Sequence, residues 1–309
     1  MGREGLEKAP VTRKNLGDLI ARVGLLFTGV YGLGQGFQLW AKGAVFAHHD
    51  MMVFSLLTYL AGFTCLALAA LYTPRLRRAV GWVVGGVVLF ATFARGYNHL
   101  RYVNPQYGTD AVAFNHYAAE LTLKGANPYE ASMAAASTRF GVPKKYYTPD
   151  DRGQVVHELS YPAQSFLVYA PFVALGVKNV NWVNLGAHLL VILLLVLLSP
   201  EWVRPLSPLV LLFEPEFVNF TVGGVTDICF LPLLLAAAYA WRSHKSLTAI
   251  LWGLACGIKQ GPWFLAPFLF VALYHETSRK AGDSKPWWRE ELQFFGLAAA
   301  AFLLPNLPF

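Results

Sequence analysis

The chain has 309 residues, of which 55% are apolar, 15% aromatic and only 14% charged. Several uncharged stretches run for about 20 residues, the length that a helix needs to cross a bilayer, so the composition excludes an ordinary soluble domain. The formal charge of +7 gathers at the ends of these stretches, which indicates membrane orientation and headgroup contact and excludes a nucleic-acid partner. We therefore predict an all-α fold, a polytopic transmembrane helix bundle of about 8–10 membrane segments.

The cysteines and the known local motifs exclude several kinds of site. Cys65, Cys229 and Cys256 all lie within apolar stretches and are odd in number, which argues against a disulfide framework or a CxxC metal site. We expect them to pack as small buried hydrophobic side chains. The sequence has no HExxH, GxSxG, P-loop or GxGxxG pattern, so we expect neither a metal nor a cofactor.

The first third of the chain contains three predicted spans, which are residues 23–40, 51–72 and 79–94. Charged residues 1–16 precede the first span, and no small-residue cleavage site follows closely, so we expect this span to be retained. The loop "TPRLRR" at 73–78 carries three arginines. The positive-inside rule therefore predicts a cytoplasmic N-terminus and places residues 95–160 outside.

The outer loop, 95–160, is about 65 residues long, which is too long for a simple connection, and it is predicted to contain a helix. Thr109 can cap a helix from Asp110 to Lys124, and Gly125 can end it. One face of this helix carries Asp110, Phe114, Tyr117 and Leu121, and another carries His116, Glu120 and Lys124. We expect the first face to lie on an apolar surface, with the carboxylate at its end.

The chain then returns to the membrane at residues 158–177, where Pro162 and Pro171 can be tolerated near the start of a short span and within it. Residues 180–199 are predicted to form a further span. Its single ionisable residue, His188, is expected to be packed and hydrogen-bonded.

Residues 205–241 have two interpretations, because Glu214, Glu216 and Asp227 interrupt their apolar character. They form two spans, or a re-entrant segment followed by one span. Residues 246–275 would be about 45 Å long as one helix, which exceeds the hydrocarbon thickness of about 30 Å. A bend is therefore predicted between Gly257 and Pro262.

Residues 276–291 are predicted to be cytoplasmic, and the last apolar run, 292–309, leads outward again. We find no internal repeat and predict one integral membrane domain over residues 1–309. Within it, residues 1–78 form an additional N-terminal two-span element, and residues 79–309 form the core with its outer loop.

Three charged positions are candidates for function. Lys259 lies near the middle of an apolar run, where a charge costs about 2.5–3.5 kcal/mol and normally faces a cavity, a partner or a substrate. We expect it to contact an anionic lipid group or a carboxylate such as Asp227; the alternative is that it snorkels to the interface. Asp227 follows the glycine pair at 223–224, which favours a break that opens to water, although solvated outer-loop acids would look the same. Asp110 begins a helix, where the helix dipole alone would stabilise it.

Four short motifs then occur in one order. They are an outer-loop aspartate with "FNHYAAELTLKGANPY" at 114–129, "YPAQSFLVYAPF" at 161–172, "GGVTDICFLPLLLAAAYAW" at 223–241 and "GLACGIKQGPWFLAPF" at 253–268. In this order they resemble the membrane glycosyltransferases of the C superfamily, and especially the mannosyltransferase-like enzymes that use polyprenyl-phosphate sugars. The resemblance runs from about residue 79 to the end of the sequence.

The resemblance implies a role for each matching residue. Asp110 would be the catalytic general base, and the G-x-x-P-Y loop of the family falls on residues 125–129. The later lysine of the family falls on Lys259, which would hold the lipid phosphate. The substrate-binding residues expected on this basis are Lys259, Gln260, Asp227, Tyr129, Asn127 and Tyr161.

The sequence also departs from the family pattern. The usual "YPP" is "YPA" at 161–163, the usual "GQ" before the acid is "GGVT", and two spans precede the part that matches. The family normally continues beyond a stretch like "PNLPF" with a further outer loop and more spans. A fragment, a split gene product or a reduced relative would each account for this difference.

The favoured hypothesis is a multi-pass transferase of the plasma (inner) membrane and cell envelope that moves a sugar from a polyprenyl-phosphate lipid to an acceptor on the outer face. Two alternatives remain. A transporter would place Asp227, Glu214 and Lys259 along one polar path. A non-catalytic subunit would bind other membrane subunits. The transferase requires these charges to converge with Asp110, whereas the transporter requires a continuous cavity.

Overall fold

α-Helices dominate the part of the chain that the structure describes. The structure is a computed structural model, and it describes residues 13–41, 48–103, 106–212, 217–280 and 288–309. Within these ranges no β-strand occurs, and the outer loop has one isolated bridge between Pro149 and Val155. The predicted all-α polytopic bundle is confirmed.

The described residues form the following α-helices, in chain order. They are α1 (Arg13–Ala41), α2 (His49–Ala70), α3 (Arg77–Asn98), α4 (Asp110–Leu123), α5 (Ala134–Arg139), α6 (Gln164–Leu167), α7 (Ala170–Ala174), α8 (Asn181–Leu198), α9 (Phe217–Gly223), α10 (Leu231–Ala240), α11 (Lys245–Cys256), α12 (Ala266–Lys280) and α13 (Trp288–Leu303).

Four of the described helical stretches are long and apolar enough to cross a membrane. They are Asn15–Ala41, His49–Ala70, Pro74–Val103 and Asn181–Leu198. A fifth span results if α9 and the helical stretch Asp227–Ala240, which meet at an angle of 100°, count as one broken span. The chain is therefore a multi-pass membrane protein, and the predicted total of about 8–10 segments stays a prediction.

The end of the third span differs from the sequence-based expectation. The span was predicted to end at Arg95, but α3 continues to Asn98 and is extended by a π-helical turn, His99–Val103. Arg95 is only 8% exposed and lies three residues before the end of α3, so it does not end the helix. The loop that follows this helix therefore starts after Val103, and its place on the outer side stays a prediction.

Packing divides the chain into two units. Unit 1 comprises residues 1–95 and 195–215, and unit 2 comprises residues 96–194 and 216–309. In unit 1, α1 and α2 approach closely at glycines: a Cβ on Gly62 would lie 2.8 Å from the Leu33 nitrogen. Small residues let membrane helices pack backbone against backbone, so these glycines explain the close α1–α2 contact.

Unit 2 contains more irregular segments. The return at 158–177 consists of the short helices α6 and α7, with no span-length helix. Residues 205–241 contain the bent pair, which fits the re-entrant or broken interpretation. Glu214 and Glu216 lie outside the described residues.

The bend predicted in the long run 246–275 is confirmed. α11 ends at Cys256, a 3₁₀ turn covers Gly261–Leu265, and α12 begins at Ala266. Trp252 on α11 stacks on Phe294 of α13 with ring centroids 6.1 Å apart. An apolar core forms there, and it fixes the helices on either side of the bend.

His188 and the three cysteines are buried, as the sequence predicts. His188 on α8 is 1% exposed, its Nδ1 lies 3.3 Å from the Thr221 hydroxyl, and its ring packs on Phe217. The prediction of a packed, hydrogen-bonded histidine is confirmed. The three cysteines are free and buried, as predicted.

Candidate active site

A glycine contact joins the start of α4 to the bend after α9. The Gly108 N–H donates to the Gly223 carbonyl oxygen at 2.6 Å, and the Thr109 hydroxyl donates to the Gly224 carbonyl oxygen. Gly224 has a φ of 154°, and a Cβ there would lie 2.8 Å from the Thr109 nitrogen, so the position requires glycine. This contact brings the outer helix to the segment that carries Asp227.

The same contact corrects the expected cap of α4. Thr109 occupies the N-cap position, but its side chain makes no capping hydrogen bond. The prediction that its hydroxyl caps α4 is wrong, because the bend at Gly224 takes that hydroxyl. The end of α4 agrees with the prediction, since Gly125 follows it with a φ of 76°.

Asp110 is the first residue of α4 and is 5% exposed. Its Oδ2 accepts a hydrogen bond from the Thr148 backbone N–H at 2.5 Å. Thr148 belongs to the outer loop, so the loop covers one side of the carboxylate and fixes its orientation. A fixed carboxylate suits a general base, and its place in the first turn suits stabilisation by the helix dipole equally well.

Asp227 and Lys259 form an ion pair in unit 2. The Lys259 ammonium donates to Oδ2 of Asp227 at 2.6 Å, and the two side chains are 27% and 42% exposed. Asp227 begins the 3₁₀ turn that follows the glycine bend, and Lys259 lies in the turn after α11. The pair therefore joins the two breaks in the helices of this unit, and its exposure leaves it accessible to a ligand. Gln260, next to Lys259, is exposed.

Tyr161 relates this pair to Asp110. Burial raises the pKa of its phenol, and the negative charges of Asp110 and Asp227 raise that pKa further. Both carboxylates therefore lie within electrostatic reach of one phenol. The Tyr161 phenol is therefore protonated near neutral pH, and its hydroxyl can donate a hydrogen bond.

Tyr129 and Asn127 support the segment that carries Tyr161. The Tyr129 hydroxyl donates to the Tyr161 carbonyl oxygen at 2.7 Å. The Asn127 amide nitrogen donates to the Phe309 carbonyl oxygen and to Glu130, each at 3.1 Å, and its Oδ1 accepts the Tyr129 N–H at 3.0 Å. In this structure these two side chains hold backbone in place, and their expected contact with substrate stays a prediction.

An apolar cavity of about 480 Å³ lies in unit 2. Its wall includes Gln164, Cys229 and Ile258, which lie within three residues of Tyr161, Asp227 and Lys259 in the sequence. The rest of the wall is mostly apolar, with Phe172, Trp182, Leu190 and Pro232 among its members. The cavity wall therefore includes sequence neighbours of the polar residues, and its apolar chemistry suits a hydrocarbon chain.

The second face of α4 is buried at His116, half-buried at Glu120 and exposed at Lys124, so the expectation of one covered face was incomplete. His116 is 2% exposed and stacks on Phe140 with ring centroids 4.5 Å apart. The Tyr107 hydroxyl accepts the Val180 N–H at 2.9 Å, so it can donate to His116 Nδ1, which lies 2.6 Å away. That bond places the proton of neutral His116 on Nε2, towards Glu120. Burial lowers the pKa of His116.

The glycine contact was missed by reasoning from the sequence. The pair Gly223–Gly224 indicated a break, and nothing in "VNPQYGTD" indicated that Gly108 and Thr109 would meet it. Residues 108 and 223 are far apart in the chain, so no local period could reveal their contact. In the described ranges, no group of three His, Cys, Asp or Glu side chains is placed to hold a metal ion.

Comparison with known proteins gives one match. Residues 159–309, just under half of the chain, match the model of glycosyltransferase family 87. No curated protein and no solved structure matches the chain. The matched part includes Tyr161, Asp227 and Lys259, whereas Asp110 precedes it. Together with the apolar helices, this match supports a membrane glycosyltransferase.

Proposed function

We propose that the protein transfers a sugar from a polyprenyl-phosphate donor to an acceptor hydroxyl at the outer face of the plasma (inner) membrane. The observation that carries this proposal is the Asp227–Lys259 ion pair, which the Thr109–Gly224 contact links to the helix that begins at Asp110, in a unit that also holds an apolar cavity. A lipid-linked sugar needs both features: a polar place for its phosphate and sugar, and an apolar place for its chain.

The proposed reaction needs a base and a cation. The acceptor oxygen attacks the anomeric carbon and its proton passes to the Asp110 carboxylate, while the bond from that carbon to the phosphate oxygen breaks. The electron pair of the broken bond stays on the departing phosphate. The Lys259 ammonium has three N–H donors, of which Asp227 accepts one, so it can also donate to that phosphate. Tyr161 supplies a further donor.

Two features favour a transferase over a transporter. Asp227 and Lys259 pair with each other, and the Thr109 hydroxyl joins the start of α4, which carries Asp110, to Gly224, three residues before Asp227. Convergence of this kind suits a reaction centre, whereas a transport path would distribute such residues along a cavity. The third member of the path considered for a transporter, Glu214, lies outside the described residues.

The test of the proposed function is sugar transfer by the purified protein in nanodiscs. A radiolabelled polyprenyl-phosphate hexose is supplied with a panel of saccharide acceptors, and release of the sugar from the lipid is measured. Asp110→Asn keeps the size of the side chain but removes the proton acceptor, so we expect a rate loss of about 10²- to 10⁴-fold. Asp151→Asn, an exposed acid of the same outer loop, is the matched control and should transfer normally.

The three hypotheses give different outcomes in this assay. Retained transfer in Asp110→Asn would leave that residue with its helix-dipole role only. Absence of transfer in the wild type and in both variants would favour the non-catalytic subunit. Export of a solute from vesicles without release of sugar would favour the transporter.

A substitution that fills the cavity tests whether the cavity binds the hydrocarbon chain of the donor. Gly186 of α8 lines the cavity, and a Cβ at this position would meet nothing within 4 Å. Gly186→Leu should therefore fold, and it should raise the KM for a long polyprenyl donor more than for a short-chain analogue. An equal effect on both donors would remove the cavity from the proposal.

The proposed orientation has a separate test. Thr138 is exposed in the outer loop, and the native cysteines are buried. Thr138→Cys in intact cells should react with a membrane-impermeant maleimide. Reaction only after permeabilisation would place Asp110 in the cytoplasm and overturn the outer-face assignment.

A further inference from the structure

Asn184 is a fully buried amide on the membrane-spanning helix α8, with 0% exposure. Its Oδ1 accepts the Tyr169 hydroxyl at 2.7 Å and the Cys229 thiol at 3.2 Å. Its Nδ2 donates to Asn181 Oδ1 at 3.1 Å and to the Val225 carbonyl oxygen at 3.4 Å. The amide thus uses both acceptor sites and both donors, which a buried amide needs in order to be tolerated.

The partners determine which way this amide points. The Val225 carbonyl oxygen can only accept a hydrogen bond, so it must face the Asn184 nitrogen. The Tyr169 hydroxyl and the Cys229 thiol can then donate to the oxygen on the other side. The orientation therefore follows from the chemistry of the neighbours.

Two of these partners flank Asp227. Val225 lies two residues before Asp227 and Cys229 lies two residues after it, so one side chain bonds to the chain on both sides of the carboxylate residue. The helix before the turn, α9, is short, and it meets the following helical stretch at an angle of 100°. A turn at such a bend needs support from outside its own backbone.

We propose that Asn184 is a positioning residue: its amide fixes the turn around Asp227 and thereby holds the Asp227 carboxylate against Lys259. This inference deepens the proposed function and rests on it for the role of the ion pair in transfer. The positioning itself rests on the contacts alone. Asn184 does not touch the ion pair, so it acts through Val225 and Cys229.

The test measures the ion pair directly, by the rate at which an amine-reactive reagent labels Lys259 in the full-length protein in detergent, followed by mass spectrometry. Asp227→Asn removes the partner and should raise the labelling rate roughly threefold, the scale of a partly exposed ion pair. Asn184→Leu should raise it nearly as much. The double variant should label no faster than Asp227→Asn, because both changes remove the same interaction.

Two further variants separate positioning from general loosening. Tyr169→Phe removes one of the four hydrogen bonds and leaves the bond to Val225, so it should raise the Lys259 labelling less than Asn184→Leu does. Thr248→Val removes a buried hydroxyl that bonds to the Ala237 and His244 carbonyl oxygens. It is the matched control and should leave the labelling of Lys259 unchanged.

The transfer assay gives the second measurement. If the proposed function holds, Asn184→Leu should lower the transfer rate about tenfold, with no further loss in the Asp227→Asn background. Wild-type labelling of Lys259 in Asn184→Leu, beside raised labelling in Asp227→Asn, would overturn the inference. Raised labelling in Thr248→Val, or none in Asp227→Asn, would overturn it as well. Raised labelling in Asn184→Leu with no transfer by the wild type would support the positioning and reject the proposed function.

Discussion

Unit 1 and unit 2 are stabilised by different kinds of contact. In unit 1, α1 and α2 are helices of 29 and 22 residues that approach at glycines. In unit 2, several helices have fewer than 13 residues, and side-chain hydrogen bonds such as those of Asn184 join the segments between them. Long regular spans satisfy their own backbone in lipid, whereas broken ones need polar side chains to support the breaks. The candidate site therefore lies where the helices are broken.

The largest effect that we expect is at the Asp227–Lys259 ion pair, which lies at the broken helices of unit 2. Lys259→Met should lower sugar transfer by about 10²- to 10³-fold, because the departing phosphate loses a cationic donor. The protein should still insert, since methionine is apolar and of similar length. Transfer rate and detergent-extracted yield are the measurements. The control Lys144→Met changes an exposed lysine of the outer loop, and equal losses in both variants would contradict a specific role for Lys259.

The next prediction concerns the glycine contact of unit 2. Gly224→Ala should cost about 1–3 kcal/mol from the unfavourable φ, and its Cβ would also press on Thr109. We expect faster hydrogen exchange around residues 108–112 and reduced transfer, with unit 1 unaffected.

Gly153→Ala is its matched control. Gly153 has a φ of 77°, but a Cβ there would meet nothing within 4 Å. This variant therefore has the backbone strain without the clash, and residues 108–112 should exchange as in the wild type. Equal exchange in the two variants would show that the Gly224 contact does not hold α4.

A third prediction tests unit 1 by itself. Gly62→Ala should lower the melting temperature in detergent, because overpacking at the α1–α2 contact costs about 1–3 kcal/mol. Gly86→Ala should leave it unchanged or raise it slightly, since Gly86 is a helical glycine whose Cβ would meet nothing within 4 Å. The transfer rate of each folded variant should stay near that of the wild type. Melting temperatures that shift in opposite directions in the two variants would support packing by close glycines at the α1–α2 contact, and equal shifts would contradict it.

The smallest expected effect is a pH dependence from His116 in unit 2. Burial lowers the pKa of His116 in the folded state, so the unfolded chain binds this proton more readily, with a pKa of about 6.5. Its contribution to stability is complete above that value and is lost as pH falls towards the folded pKa, by at most about 1.4 kcal/mol per pH unit. The melting temperature should therefore fall below about pH 6.5.

The control for this prediction is His116→Gln, which does not titrate in this range. Its melting temperature should fall less between about pH 7 and pH 5 than that of the wild type. Parallel curves for the two proteins would assign the acid sensitivity to other groups.

Much of the fold could be predicted from the sequence. The span at Asn181–Leu198, the helix at Asp110–Leu123 and the bend between Gly257 and Pro262 were all expected. Each depends on local information: hydrophobic run length against bilayer thickness, or a stop residue such as Gly125. The end of α3 was missed because Arg95 is buried and the helix continues past it to Asn98.

By itself the sequence determined that the chain crosses a membrane several times, and it identified Asp110, Asp227 and Lys259 as charged residues that are candidates for function. Only the tertiary structure decided that Lys259 pairs with Asp227, that the Thr109 hydroxyl goes to Gly224, and that Asn184 supports the turn between Val225 and Cys229. The physical reason is that the interactions readable from the sequence are local, whereas those of the tertiary structure act between distant residues. Transfer of apolar residues into lipid acts on one segment at a time and leaves a periodic record in the sequence, whereas hydrogen bonds and ion pairs join residues far apart in the chain and leave none.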